Sequence, residues 1–310
     1  MPRHATLRCL DPNGFHRIAY SEWGDPANPR VVICAHGLAR NRRDFDFLAR
    51  HLADAFRVVA FDAAGRGESD WLPVKEDYRF GQYLADGAAL MARATAPASG
   101  VLARLARLFG IGRGASLDWV GTSMGGLVGM MLAARAGTPI RRLVLNDIGP
   151  LVPWSSLVRL KGYVGRATRF ETMCEVEQWV REVCAPWGPL ADAHVAHLAR
   201  HGVRPDPAGG YVLHYDPDIV SGLRRRADVD LPIGDRYFEG VDLWPLWDAI
   251  RTPTLALRGG ESDVLLAATA EEMKRRGPRA EVLELPGIGH APALMAPEQM
   301  DAIRGFLLRA

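Results

Sequence analysis

Gly121-Thr122-Ser123-Met124-Gly125 places a serine between glycines, directly after the apolar run Leu117 to Val120 and before a small-residue helical stretch from about Gly125 to Arg135. A serine at so sharp a strand-to-helix turn takes a strained backbone, and only residues without bulk fit two positions on either side. The gain is a hydroxyl projecting from a sheet edge, beside helix-start N–H groups that can stabilise developing negative charge. The chemistry open to such a hydroxyl is nucleophilic attack on a carbonyl. That requires a base and a group that orients the base.

His290, in Gly287-Ile288-Gly289-His290-Ala291-Pro292, follows the strand-like run Glu281 to Leu285 and is the candidate base. Asp263, in Gly259-Gly260-Glu261-Ser262-Asp263, follows the run Thr254 to Arg258 and is the favoured acid. The order serine, acid, histidine fits this type of turn, and each partner lies past a strand's carboxyl end. Glu261 and Asp147 are rivals for the acid; Asp147 reads more readily as a turn residue bonded to nearby backbone. Two N–H donors must face the oxygen that becomes charged. Met124 supplies one, and Leu38, in the loop His36-Gly37-Leu38 after the run Val31 to Ala35, supplies the other. His36 reads as a brace of that loop.

These residues need a scaffold of parallel strands. The runs Arg17 to Trp23, Val31 to Ala35, Arg57 to Asp62, Leu117 to Val120, Leu143 to Asn146, Thr254 to Arg258 and Glu281 to Leu285 alternate with helical segments. Short β-branched runs of this kind mark an α/β fold whose mostly parallel central sheet is buried on both faces. Glu298 to Leu308 closes the chain as an amphipathic helix. Between Pro150 and Trp247 aromatics and prolines crowd in without a strand run, which reads as a mostly helical insertion. There Thr168-Arg169-Phe170-Glu171 has capping-box spacing, followed by Met173, Val176, Val180 and Val183 at helical intervals.

The 310 residues are 48% hydrophobic and 24% charged with a net charge of +2, which excludes disorder and gives nucleic acid no global field to follow. No apolar stretch has the length of a transmembrane segment, and no signal-peptide core is visible at the start. Cys9, Cys34, Cys174 and Cys184 have neither metal nor disulfide-framework spacing, so a cytoplasmic location with free thiols is expected. From Gly87 to Leu117 there is no acidic residue while Arg93, Arg104, Arg107 and Arg113 are present. That amphipathic stretch reads as a helix packed on the sheet, with docking to a membrane surface or partner as the other reading. His194, His197 and His201 share a helix face but are expected to hold no metal. Arg40, Arg42 and Arg43 could hold an acidic leaving group or form a solvated face.

His36-Gly37, the stretch Asp62 to Ser69, the Ser123 turn, Gly260 to Asp263 and Gly289-His290 together resemble the α/β-hydrolase superfamily, over about residues 16 to 308. The resemblance implies a catalytic triad of Ser123, Asp263 and His290 and an oxyanion hole of Leu38 and Met124. It implies a core domain of residues 1–149 and 248–310, with a helical cap of residues 150–247 inserted after the sixth strand. Within the superfamily the pattern is similar to bacterial lidded esterases, enol-lactonases and meta-cleavage C–C hydrolases. Serine at position 123 departs from the aspartate nucleophile of dehalogenases and epoxide hydrolases. The activity so implied is a cofactor-free serine hydrolase of a small or medium ester or lactone. C–C bond hydrolysis with the same triad is the alternative, and a non-catalytic binding protein is the alternative of another class. Trp154, Tyr163, Trp187, Tyr211 and Tyr215 are candidate pocket residues. The oligomeric state is not written in the sequence.

Overall fold

The computed structural model describes residues 1–96, 115–162, 164, 168–221, 236 and 238–309. Tyr163 and the acid-free stretch beyond Arg93 that holds Arg104, Arg107 and Arg113 lie outside the described residues.

Strands β1 (Arg3–Asp11) and β2 (Gly14–Trp23) form an antiparallel hairpin. Then follow β3 (Arg30–Ala35), α1 (Asp46–Leu52), β4 (Arg57–Phe61), α2 (Phe80–Thr95), β5 (Ser116–Thr122), α3 (Met124–Ala133) and β6 (Ile140–Asn146). After β6 come β7 (Leu151–Pro153), α4 (Trp154–Lys161), β8 (Arg169–Phe170), α5 (Met173–Val183), α6 (Asp192–Gly202), β9 (Val203–Pro205), β10 (Tyr211–Leu213) and β11 (Gly240–Asp242). The chain ends through α7 (Trp244–Ala249), β12 (Thr254–Gly259), α8 (Ala267–Met273), β13 (Glu281–Leu285) and α9 (Pro297–Leu308).

One eight-stranded sheet runs β1-β2-β4-β3-β5-β6-β12-β13, parallel from β4 to β13. Its two faces come from strand alternation. Val31, Ile33 and Ala35 of β3 enter a core shared with α2 and α3, while Val32 and Cys34 enter one shared with α1 and α9. Helix α3 (Met-Gly-Gly-Leu-Val-Gly-Met-Met-Leu-Ala) is apolar all round because it is covered all round: every residue but Leu127 is buried.

The sequence expectation needs three corrections. β1 escaped notice because it is an edge strand with only Cys9 and Asp11 buried, so apolar alternation is absent. Segment 150–247 contains strands after all: β8, β9 and β10 pair in one small sheet and β7 with β11 in another, each of two or three residues. Lastly, the helical cap sits four residues later than its first match. Thr172 Oγ accepts from Glu175 N–H at 3.3 Å and Glu175 Oε2 accepts from Glu171 N–H at 2.9 Å, while Thr168 to Glu171 runs into β8.

A buried ion pair ties the loops at the sheet's carboxyl edge. Asp62, just past β4, accepts from Arg42 N–H at 2.7 Å and Glu68 N–H at 2.9 Å, and contacts the Arg42 guanidinium. Arg42 also donates to Ser21 Oγ at 2.8 Å and Glu68 Oε2 at 2.6 Å. Thus Arg42 is no solvated arginine. Removing one partner leaves the other charge buried and alone, so Arg42→Met should cost about 3–5 kcal/mol of unfolding free energy, read by urea denaturation. Asp62→Asn in the same background should recover part of that loss.

Candidate active site

Ser123 joins β5 to α3 at φ 50° and ψ −114°, a backbone region that side-chain-bearing residues enter only under constraint. The constraint is close packing. A Cβ at Gly121 would run into the carbonyl oxygen of Gly125, and one at Gly125 into that of Ala35. Helix α3 can cross so near β3 and β5 only over bare glycines. Ser123 N–H donates to Asn146 O at 3.0 Å, pinning the turn to β6.

His290 lies in the loop between β13 and α9. Its Nε2 is 3.0 Å from Ser123 Oγ and its Nδ1 is 2.7 Å from Asp147 Oδ2. An imidazole that donates from Nδ1 to a carboxylate presents the Nε2 lone pair to the hydroxyl, the orientation a general base needs. Asp147, the first residue after β6, is fully buried and has φ 55°. Gly259 N–H donates to its Oδ1 at 2.8 Å, and Ser262 Oγ–H donates to its Oδ2 at 2.6 Å. Ser262 Oγ in turn accepts from Val264 and Leu265 N–H, each at 3.1 Å, which leaves its own proton aimed at Asp147.

The expected acid is therefore corrected. Asp263 points outward, its carboxylate bound by Arg159 of α4 at 2.6 and 2.8 Å and its carbonyl by Ser156 Oγ–H at 2.5 Å. Its inward neighbour Ser262 takes the place beside His290 and Asp147. Glu261, the other rival, is exposed. Both Asp147 and Asp263 satisfy the order serine, acid, histidine; what separates them is which loop faces Nδ1. Ser262 was missed outright; it lies next to Asp263 in the sequence, and only the path of the loop shows that its hydroxyl is the one that turns inward.

The loop of Leu38 is held from beneath. His36 Nε2 accepts from Ala63 N–H at 2.9 Å, so its Nδ1–H donates to Gly37 O at 2.7 Å. Arg66, fully buried, donates to Leu38 O at 2.9 Å, Ala64 O at 2.6 Å and Tyr83 Oη at 2.8 Å, and lies 3.9 Å from Met124 Sδ. With its carbonyl so engaged, Leu38 has an amide N–H with no acceptor among the described residues. Met124 N–H opens α3, where helix geometry leaves an N–H without an intrahelical partner.

Among the described residues two other clusters have the composition of metal ligands: Cys9, His16 and Asp86, and Asp46, His197 and His201. In the first, His16 bridges Asp11 and Asp86 at 3.1 Å each, and burial pushes the Cys9 thiol up to about 12, so it is not a thiolate. In the second, Arg43 already occupies the Asp46 carboxylate at 2.6 Å and His197 Nε2 is 2.9 Å from Arg43 O. His194 packs edge-on against Phe47. Of the candidate pocket residues, Trp187 lines a cleft with Arg40, Thr122, Ala291 and Pro292. Tyr215 is buried and pairs by backbone with Arg66. Tyr211 lies in the small sheet against Phe170 and Pro205, and Trp154 is exposed at the start of α4.

Residues 32–303 match the model of the Alpha/beta hydrolase family. The chain belongs to this family. The α/β hydrolase is 38% identical to a 3-hydroxybutyrate-oligomer hydrolase of Cupriavidus necator, over 100% of this chain and 99% of that one. A 2-(acetamidomethylene)succinate hydrolase of Mesorhizobium japonicum is 24% identical over 89% of this chain and 87% of its own. Among solved structures, an alpha/beta hydrolase from Novosphingobium aromaticivorans superposes with a TM-score of 0.80 at 34% identity, covering 100% of both chains.

Asp147→Asn should lower kcat/KM for a simple ester by about 10³–10⁴-fold, as loss of the orienting carboxylate does in other triads, whereas Asp263→Asn should leave it within a few-fold. Equal losses in the two variants would contradict the assignment. Burial depresses His36 from 6.5 to about 4, so its neutral form is the folded one. The unfolded chain takes up that proton first, and folding free energy should fall as pH drops from about 6.5 toward 4, by on the order of 3 kcal/mol from this group. Urea denaturation at pH about 7 and about 4.5 should show a shallower pH slope in His36→Gln.

Proposed function

We propose that this α/β hydrolase is a serine esterase that cleaves short oligoesters of 3-hydroxy acids through an acyl-enzyme on Ser123. The observation that carries the reading is the continuous hydrogen-bonded series Ser123–His290–Asp147. His290 removes the Ser123 proton as Oγ attacks the ester carbonyl, and Asp147 stabilises the imidazolium that forms. The Leu38 and Met124 N–H groups form the oxyanion hole, already aimed before charge develops because Arg66 and His36 fix the loop. Collapse of the tetrahedral intermediate passes the proton to the leaving alcohol. Water, activated by His290, then releases the acid and restores Ser123.

The substrate class comes from the Cupriavidus relative, whose similarity extends over the full length of both chains. Segment 150–247 acts as the cap, with Ser156 and Arg159 of α4 holding the loop of Ser262 and Asp263. The cytoplasm is the proposed location, in keeping with four thiols that are all unpaired, three of them buried. Among the described residues no helix is long and apolar enough to cross a membrane.

A fluorophosphonate should label wild-type protein stoichiometrically at Ser123. Ser123→Ala should lose both labelling and turnover of p-nitrophenyl butyrate and of 3-hydroxybutyrate dimer, with an unchanged circular dichroism spectrum. Undiminished hydrolysis in that variant would reject the nucleophile, and wild-type turnover of lactones alone would reject the substrate class.

A further inference from the structure

Three arginines follow the oxyanion loop, and their surroundings differ. Arg43 serves the single acid Asp46, whereas Arg42 holds two carboxylates, Asp62 and Glu68. Elsewhere Arg236 and Arg276 likewise each serve two acids, Glu239 with Glu272 and Asp248 with Glu272. Arg40 serves one. Its Nε and Nη2 grip Asp44 at 2.8 and 2.7 Å, and its guanidinium carbon lies 5.0 Å from the centre of the Trp187 ring. Among the described residues the Nη1 edge of its fork has no hydrogen-bond partner; the side chain is 16% exposed, and Nη1 lies 4.0 Å from where a Cβ on Gly202 would sit.

That edge belongs to a side chain rooted beside the nucleophile. A Cβ placed on Gly37 would sit 3.7 Å from Arg40 Cγ and 3.8 Å from Ser123 Cβ, so the two side chains flank the same glycine. Arg40 also lines the cleft with Thr122 and Trp187, whose volume of about 30 Å³ is roughly twice what one water requires. Asp44 and Trp187 fix the guanidinium plane, so little side-chain entropy is lost when a further acceptor binds.

We propose that the free edge of Arg40 is a carboxylate subsite, which binds the terminal carboxylate on the alcohol half of the ester and makes the enzyme select oligoesters with an ionised end. The inference rests on the esterase reading above and adds the recognition element. In an ester of a 3-hydroxy acid that carboxylate carbon is four bonds from the scissile carbonyl carbon. The Arg40 stem, at Cγ, is one glycine away from Ser123, so an alcohol half that leaves Ser123 along this stem carries its carboxylate toward the free Nη1 beside Gly202. Asp44 then plays the part that Asp62 plays for Arg42, leaving a fork shared between two acids.

The test compares two substrates that differ only in that charge: 3-hydroxybutyrate dimer and the same dimer with its terminal carboxyl converted to a primary amide. Wild-type enzyme should favour the acid by about 10- to 100-fold in kcat/KM, the range of a charge-assisted hydrogen bond pair. The preference should shrink with added salt. Arg40→Met should bring the acid-to-amide ratio close to unity, and Asp44→Asn, which frees the rest of the fork, should raise it. The ratio is unmoved by a loss of folded protein. Equal turnover of acid and amide by wild type, or an unchanged ratio in Arg40→Met, would overturn the subsite while leaving the esterase reading intact. Failure of wild type to cleave either dimer would overturn both.

Discussion

Four neighbouring parallel strands end at one edge of the sheet, and each delivers one member of a single hydrogen-bonded cluster. β5 leads to Ser123, β6 to Asp147, β12 to Ser262 and β13 to His290. The Asp147 carboxylate is where they meet, receiving Gly259 N–H on one oxygen and Ser262 and His290 on the other. A buried carboxylate needs such donors, and parallel strands at β-sheet spacing are what bring loops from distant parts of the chain to one point. Shift one strand by a residue and the donors on either side miss the carboxylate.

The other half of the site depends on buried cations. Arg66 and Arg42 lie beneath the loop that carries Leu38, one fastened to backbone oxygens and tyrosine, the other to Asp62 and Ser21. Burying two guanidiniums costs more than an apolar core of the same volume would. In the proposed mechanism they provide a loop that does not reorganise when charge appears on the substrate oxygen, the source of most catalytic stabilisation in such sites. His36 contributes in the same sense, held neutral by burial and used for its two nitrogens as a spacer between strand ends.

Much of this was legible in the residues. Val31 to Ala35 is legible as a strand because it is a short β-branched run buried on both faces, and the edge strand β13, with only Leu285 buried, still has the bounds its sequence suggests. Ser123 was legible because the glycines around it have a purely local, steric reason. The acid was not, because the choice between Asp147 and Asp263 turns on the path of the loop 259–265, which is set by contacts with β6 and α4 far away in sequence. The edge strand β1 was invisible because it has no buried apolar face, and the two- and three-residue strands between β6 and β12 because they are too short for any alternation to show. Among the three clustered arginines, the sequence distinguishes none. Asp62 and Glu68 set Arg42 apart, and the cleft separates Arg40 from Arg43.

The link on which the proposed catalysis depends is the hydrogen bond between His290 and Asp147, and proton NMR observes it directly. A short bond from imidazole Nδ1 to a buried carboxylate moves that proton far downfield of the backbone amides and shields it from exchange. The resonance should be present in the wild-type protein and in Asp263→Asn, and absent in Asp147→Asn and His290→Ala. A downfield proton that survives loss of Asp147 but disappears with Asp263 would show that His290 is oriented by the other acid.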